Sequence, residues 1–209
     1  MVEVVSAFSI PVYAGDVTVT AADTEYCSSL PTSGDYFHEF RSSVADQILE
    51  DAALQGMKDQ VLEHINVFTR DVMGIDQDRF QFEVTTSWYS AMTDSSHVVS
   101  HRHTNSVFTG FVTLECSPGT VFTMTMDNPP AVPGVFALSY NKETPYNTQR
   151  HHVVLRPHKV YILPSHISHT AKCHLPDGQL SVIIFDTFIT RVRGRPPVGT
   201  GLAPGDLVV

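Results

Sequence analysis

Short β-strand candidates separated by turn signals fill the second half of the sequence, and they constrain the fold more than any other feature. From residue 80 onward, alternating or short apolar runs are interrupted by clusters of Pro, Gly, Asn and Asp. Many short strands at such spacing are typical of a β-sandwich or barrel. The pattern predicts strands at 80–88, 107–115, 120–126, 135–140, 152–155, 160–163, 170–174 and 180–188.

One long helical pattern precedes these strands and runs from about residue 43 to 73. Ser42 or Ser43 would cap its start, Gly56 interrupts it and could divide it into two helices, and Gly74 would end it. The pattern favours a helix packed on the back of a sheet over an exposed partner-binding helix. Its apolar positions at helical spacing are Val44, Ile48, Ala52, Val61, Ile65, Phe68 and Val72.

The length of 209 residues suits one domain. We predict a single domain over 1–190, with the helical layer at about 43–73 and the β core at about 80–188. The composition then shifts, because 191–209 is rich in Pro and Gly and ends in three apolar residues. This segment is predicted to be an extended arm that makes the protein an oligomer or attaches it to a larger assembly, although a frayed terminus would have the same composition.

Composition excludes several classes of partner and location. The formal net charge is −9, which disfavours direct binding to nucleic acid. No apolar run could span a membrane, and no signal segment opens the chain. Three scattered cysteines form no disulfide framework or zinc pattern, which favours a reducing compartment such as the cytoplasm.

Histidines supply the strongest chemical signal, because most of the eleven fall between residues 97 and 174. In a strand, His101 and His103 would point to the same face and present two imidazoles to one cavity. His169 follows the predicted strand at 160–163, and a third imidazole would complete a metal site with open positions. An ordinary hydrogen-bonded or surface pair is the competing interpretation of the His-x-His spacing, and His166 is the main rival to His169.

Other histidines rank lower as ligands. His151 and His152 alternate across a strand, so at most one could face the site. His97 lies just upstream of the pair and would be at most a neighbour of the ligands. No nucleophilic triad, phosphate-binding glycine loop or Rossmann fingerprint is evident.

Several motifs together resemble the Fe(II)/2-oxoglutarate oxygenase family of marine bacteria and tailed phages. They include a tryptophan, a His-x-His, a following apolar strand, a turn ending in Asn-Pro and a Pro-Ser-x-x-x-His segment. Their order and spacing agree with the family from about residue 7 to 188. The motifs lie at 8–13, 86–88, 101–103, 106–114, 123–129, 163–169 and 181–186.

The resemblance implies a mainly β double-stranded β-helix, or jelly roll, with an N-terminal helical layer on its outer face. It also implies Fe(II) held by His101, His103 and His169, with 2-oxoglutarate as a further cofactor. Many relatives carry a carboxylate where this chain has His103. Three imidazoles still suit iron, but they also suit zinc, nickel and copper.

A second departure concerns the arginine with which such relatives grip 2-oxoglutarate. Gln179 stands near the expected position and carries no charge. Lys159 is the leading substitute and therefore a weak candidate for cofactor binding. The remaining nearby cations are Arg150, Arg156 and Lys172.

Two functions stay open at the level of sequence. The first is an Fe(II)/2-oxoglutarate-dependent dioxygenase acting on an unknown small-molecule or protein substrate in the cytoplasm. The second is a catalytically inactive jelly roll that forms part of a phage particle or another large assembly, in a host cytoplasm or a virion. A third possible function is that of a cupin-like isomerase using the same metal-binding face, but no sequence feature indicates it specifically.

Overall fold

The computed structural model describes most of the chain, with ten strands, two α-helices and three shorter helical turns. The helices are α1 (Ala21–Ser29) and α2 (Gln55–Val67), with 3₁₀ turns at Ile48–Glu50 and Ala52–Leu54 and a π-helical turn at Phe68–Val72. The strands are β1 (Tyr13–Asp16), β2 (Thr32–Asp35), β3 (His38–Ser43), β4 (Phe80–Thr93), β5 (Phe108–Cys116), β6 (Val121–Thr125), β7 (Arg150–Val154), β8 (Lys159–Pro164), β9 (Ser168–Lys172) and β10 (Gln179–Val192). The described residues are 9–35, 38–93, 98–125, 141–142, 144, 147–172 and 178–192.

The strands form two antiparallel sheets, as the predicted jelly roll requires. The larger sheet has the order β1-β8-β5-β10-β4-β3-β2, and the smaller has the order β7-β6-β9. The long strand β10 lies between β4 and β5 and pairs with both, so it forms the centre of the larger sheet. The fold is therefore the mainly β architecture that the sequence predicts.

Alternation along the central strands creates two separate cores. On β5, Phe108 and Val112 join a core that includes the helices, whereas Phe111 joins a second core between the sheets. On β10, Phe185 and Val182 divide in the same way. Because side chains alternate across a strand, the larger sheet packs helices on one face and encloses the barrel interior on the other.

The close approach of β5 and β8 requires a glycine at position 110. A Cβ atom added to Gly110 of β5 would lie 2.6 Å from the carbonyl oxygen of Tyr161 and would collide with the ring of Phe185. Any larger residue at this position would separate β5 from its neighbours, so the glycine permits the packing of the sheet.

The helical layer begins later than the sequence pattern predicts. Ser43 ends a β-strand instead of capping a helix, and two 3₁₀ turns precede α2. Gly56 lies in the first turn of α2 and does not divide it. Gly74 has the left-handed φ of +65° expected after a helix end, which confirms that stop.

Bonds to the sheet explain this late start. The backbone N–H of Ser87 in β4 donates to the carbonyl oxygen of Asp46 at 2.7 Å, and the N–H of Leu49 donates to Oγ of Ser87 at 2.9 Å. These long-range bonds occupy groups that a helix would need. Of the predicted stripe, Ile48, Val61, Ile65 and Phe68 are buried as expected, whereas Val44, Ala52 and Val72 are exposed.

Helix α1 was not predicted, because its region reads as a series of turn-forming residues. Thr20 caps it through a reciprocal pair with Asp23, in which the N–H of Asp23 donates to Oγ1 of Thr20 at 3.2 Å. Within the described part of the chain, no helix combines the length and apolar character needed to span a bilayer. The predicted strand at 135–140 and the arm at 193–209 lie outside the described residues.

Candidate metal centre

Three histidine side chains converge at one end of the barrel interior. One ligand nitrogen from each of His101, His103 and His169 lies within 4.8 Å of the other two, and the group could hold a metal ion. As a whole residue His169 is 7% exposed and His101 and His103 are more exposed, although the side chain of His103 by itself is only 7% exposed. The structure therefore brings together all three histidines that were predicted as ligands.

His101 and His103 lie in a loop, whereas the sequence pattern suggested a strand. His101 forms an isolated bridge to His169 of β9, with backbone bonds of 3.0 and 2.8 Å in the two directions. The N–H of His103 donates to the carbonyl oxygen of Ser165 at 3.2 Å, and Asn105 adopts a φ of +58° that turns the chain toward β5. Backbone bonds to the segment around β9 thus replace strand geometry in positioning the rings.

Hydrogen bonds at Nδ1 define the same tautomer for all three rings. Nδ1–H of His101 donates to the carbonyl oxygen of Val99 at 2.9 Å, and Nδ1–H of His169 donates to that of Ile167 at 3.0 Å. Nδ1–H of His103 donates to Oδ1 of Asp186 at 2.8 Å. With the proton on Nδ1, each ring presents the lone pair of Nε2, which is the form that binds a metal.

The spacing of two Nε2 atoms matches that of neighbouring ligands on one metal. Nε2 of His101 and Nε2 of His103 lie 3.3 Å apart. Metal–imidazole bonds of about 2.1 Å place two such nitrogens about 3.0 Å apart at a right angle and about 3.4 Å apart at a tetrahedral angle. The same distance allows one Nε2 to donate a hydrogen bond to the other, and a metal ion between the rings would take the place of that shared proton.

Burial and neighbouring charge keep the most enclosed ring neutral. Burial, followed by the nearby His101 ring, lowers the pKa of His169 from 6.5 to about 3. A neutral imidazole is the metal-binding form. The ring also packs against Phe122, with centroids 5.2 Å apart, which restricts its rotation.

Asp186 and Trp88 contribute to the centre in ways that the sequence did not indicate. The side chains of Asp186 and His103 are 14% and 7% exposed, so their bond is shielded from water. Trp88 stacks on a face of the His103 ring, with centroids 5.7 Å apart and planes inclined by 21°. Oγ1 of Thr109 lies 3.1 Å from Nδ1 of His103 as well. The carboxylate of Asp186 therefore supports the His103 ring by bonding to its Nδ1, and the imidazole remains the group directed at the metal position.

The centre opens into a cavity of about 520 Å³. Its lining includes the three histidines and side chains from both sheets, and most of that lining is apolar. A volume in this range suits a small organic ligand. The cavity and the metal-ligand set therefore form one continuous site.

The two weaker candidates for cofactor binding, Gln179 and Lys159, lie outside the lining of this cavity. Residues 180, 182, 184 and 186 of β10 face the cavity, so Gln179 has the opposite parity and is exposed. Lys159 begins β8 and forms an ion pair with Asp16 of β1. Neither side chain lines the cavity.

The remaining histidines can also be located. His166 is exposed in the turn before β9 and does not join the cluster. His151 and His152 are exposed on β7, where Nδ1 of His152 lies 2.8 Å from Oγ1 of Thr123. His97 lies outside the described residues.

Comparison with known proteins identifies the fold. No protein-family model and no curated protein matches the sequence. Among solved structures, the non-haem α-ketoglutarate-dependent epimerase SnoN from nogalamycin biosynthesis is similar with a TM-score of 0.57 and 14% identity, covering 92% of this chain and 87% of that one. HygX from Streptomyces hygroscopicus, with nickel and 2-oxoglutarate bound, gives a TM-score of 0.56 and 12% identity over 84% and 82%.

A third structure is an oxidoreductase of the 2OG-Fe(II) oxygenase family from Burkholderia pseudomallei. Its TM-score is 0.53 and its identity 11%, with coverage of 78% of this chain and 76% of that one. At such identities the likeness shows a shared fold. The chain therefore has the architecture of 2-oxoglutarate/Fe(II) oxygenases, and its chemistry is argued from its own residues.

Proposed function

We infer that this protein is a non-haem Fe(II) oxygenase that uses 2-oxoglutarate as co-substrate. One observation carries the inference: three imidazoles converge with every Nδ1 engaged and the Nε2 atoms of His101 and His103 3.3 Å apart. The fold it shares with 2-oxoglutarate/Fe(II) oxygenases supports the choice of chemistry.

The donor set is compatible with iron. His101, His103 and His169 would bind one face of the ion and leave positions directed into the cavity. Asp186, bonded to His103, would offset part of the positive charge that an all-histidine set leaves on the metal. Bound iron, together with 2-oxoglutarate and dioxygen, supplies the oxidant that converts a substrate C–H to C–OH while the keto acid becomes succinate and carbon dioxide.

The chain's own residues would orient the reactants and exclude water. Trp88 and Asp186 fix the plane of the His103 ring from two directions. Apolar side chains from both sheets line the cavity beyond the metal ligands and would shield the reacting centre from solvent. Fixed ligands and a largely apolar cavity are what a metal-dependent oxidation requires of a protein.

The co-substrate has one cationic partner within the described cavity. A 2-oxo acid could bind the metal through its oxo and carboxylate oxygens, but its distal carboxylate also needs a donor. Arg102 is the only Lys or Arg among the described residues that line the cavity. Its guanidinium can donate two hydrogen bonds to one carboxylate.

Fe(II)-dependent consumption of 2-oxoglutarate tests this function. The protein loaded with Fe(II) under anaerobic conditions and then exposed to air should release succinate slowly even without a substrate. His169→Ala should abolish this turnover, and His166→Ala should retain it, because His166 is exposed outside the cluster. Equal turnover by both variants, or none by the native protein, would contradict the assignment.

A further inference from the structure

Asp186 lies in a row of polar side chains that crosses three adjacent strands of the larger sheet. In the registers of these strands, Asp186 of β10 stands directly opposite Thr86 of β4 on one side and Thr109 of β5 on the other. Directly opposite residues project from the same face of a sheet, with their Cβ atoms about 4.5–5.5 Å apart. Asp186 and Thr109 line the cavity, so the row lies on the face that carries the metal centre.

The two carboxylate oxygens of Asp186 have different partners. Oδ1 accepts from Nδ1–H of His103 at 2.8 Å, and Oδ2 accepts from the hydroxyl of Thr86 at 3.4 Å. The torsion that sets the plane of an Asp carboxylate is broad and has no sharply preferred value. The plane of this carboxylate is therefore set by its hydrogen bonds, and the Thr86 hydroxyl holds the oxygen that His103 does not.

Thr109 offers the proton of His103 a second acceptor. Its Oγ1 lies 3.1 Å from Nδ1 of His103 and donates to the carbonyl oxygen of Phe185 at 3.3 Å. Because this hydroxyl donates to Phe185, its oxygen can accept from Nδ1–H. An ionised carboxylate is the stronger acceptor of the two, but only while one of its oxygens points at the ring. The orientation of the Asp186 carboxylate therefore decides how firmly the proton is held on Nδ1.

A β-bulge in β4 brings Thr86 into this position. Asp186 pairs with Thr86, whereas the next residue of β10, Thr187, pairs with Val84, so Thr85 is the extra residue of the bulge. The hydroxyl of Thr85 donates to the backbone carbonyl oxygen of Asp186 at 3.4 Å. A bulge bends its strand and redirects the neighbouring side chain, and bulges are frequent next to functional sites.

The row is largely shielded from solvent, so water does not readily replace its hydrogen bonds. The side chain of Asp186 is 14% exposed, Thr109 is 2% exposed, and Thr86 is partly buried. The branched Cβ of threonine also restricts its χ1 torsion. The two hydroxyls therefore present fixed positions to the carboxylate and to the ring.

We propose that Thr86 is a positioning residue of the metal centre. Its hydroxyl orients the carboxylate of Asp186, and the oriented carboxylate keeps the proton of His103 on Nδ1 and the lone pair of Nε2 directed at the metal position. The effect on metal affinity rests on the proposed function, whereas the effect on the His103 ring does not and can be measured without metal.

The tautomer of His103 in metal-free protein tests the proposal directly. Thr86→Val removes the hydroxyl and keeps the branched shape, so the fraction of His103 with its proton on Nε2 should rise in nitrogen NMR spectra of isotope-labelled histidine at a fixed pH. Thr86→Ser retains the hydroxyl and should restore the native fraction. Circular dichroism establishes that the variants are folded, and Thr86→Ala takes the place of Thr86→Val if the latter does not fold.

Thr85→Val is the matched control for this measurement. Thr85 is partly buried like Thr86, and its hydroxyl contacts the backbone of Asp186 instead of the carboxylate. The control should therefore keep the native fraction of the two tautomers. An unchanged fraction in folded Thr86→Val, or an equal rise in Thr85→Val, would overturn the proposal.

Metal titration shows whether Thr86 acts through the carboxylate. Nickel suits an imidazole set, and calorimetric titration with Ni(II) should show binding about threefold to tenfold weaker in Thr86→Val than in Thr85→Val. In an Asp186→Ala background, Thr86→Val should cause no further loss, because its partner is already absent. A loss as large in that background as in the native one would overturn the proposal. Absence of Ni(II) binding by the native protein would contradict the proposed function instead, and the NMR comparison would still decide the proposal.

Discussion

At the residue scale, the bond between Asp186 and His103 determines how well the site can hold a metal. The carboxylate fixes the ring tautomer and makes Nε2 a stronger donor. Asp186→Ala should weaken metal binding by about 10–100-fold, since partners behind a ligand typically contribute that much. The metal affinity of Asp186→Asn should lie between those of the native protein and Asp186→Ala, because an amide oxygen still accepts the bond but carries no charge.

Calorimetric metal titration measures this effect. Glu83→Gln is the matched control, because it removes a carboxylate from an exposed position on β4. If Asp186→Ala binds metal as tightly as the control, the carboxylate has no role in the centre.

The sequence identified the three histidines because residue type and motif order restrict a ligand set strongly. It did not reveal the role of Asp186, which depends on β10 lying beside a loop 83 positions earlier. Gln179 lies one residue away from a cavity-lining position, since Leu180 faces the cavity and its neighbour does not. Parity of that kind is decided by pairing with β4 and β5, which no local pattern encodes.

At the scale of elements, the inward stripe of α2 attaches the helical layer to the larger sheet. Ile65 is fully buried in the core shared with the sheet, whereas Asn66 beside it is exposed. Ile65→Asp should lower the free energy of unfolding by at least about 3 kcal/mol, because it buries an unpaired charge. Asn66→Asp introduces the same group in solvent and should change stability by less than about 0.5 kcal/mol.

Urea denaturation of the two variants checks this prediction. Similar midpoints for both would mean that the helix does not pack through Ile65.

The start of this element was mispredicted because residues 43–54 have helical periodicity but bond to β4, and those bonds are long-range. Local periodicity therefore predicted which residues of α2 are buried better than where the helix begins.

At the scale of the whole molecule, one buried thiol links stability to alkaline pH. Burial raises the pKa of Cys27 from 9.0 to about 12, with a smaller contribution from Asp23. The unfolded chain loses this proton near pH 9 and the native protein does not. The contribution of the protonated thiol to the free energy of unfolding is therefore fully present below about pH 9. It is lost progressively between about pH 9 and 12.

Unfolding at pH 8 and pH 10 measures the loss. We expect the free energy of unfolding of the native protein to fall by about 1 kcal/mol more over this interval than that of Cys27→Ala. The variant creates a cavity whose cost is independent of pH, so only the difference between the two slopes is informative. Parallel slopes would show that the thiol ionises as readily in the folded protein as in the unfolded chain.

The central claim is that the three histidines bind one metal ion, and the single tryptophan provides the most direct measurement. Trp88 stacks on His103, so a paramagnetic ion bound there should quench its fluorescence. Anaerobic titration with Fe(II) should quench the native protein and His166→Ala to saturation at about one equivalent, and His169→Ala should need far more metal. No saturable quenching of the native protein, or the same titration curve for His169→Ala, would contradict the claim.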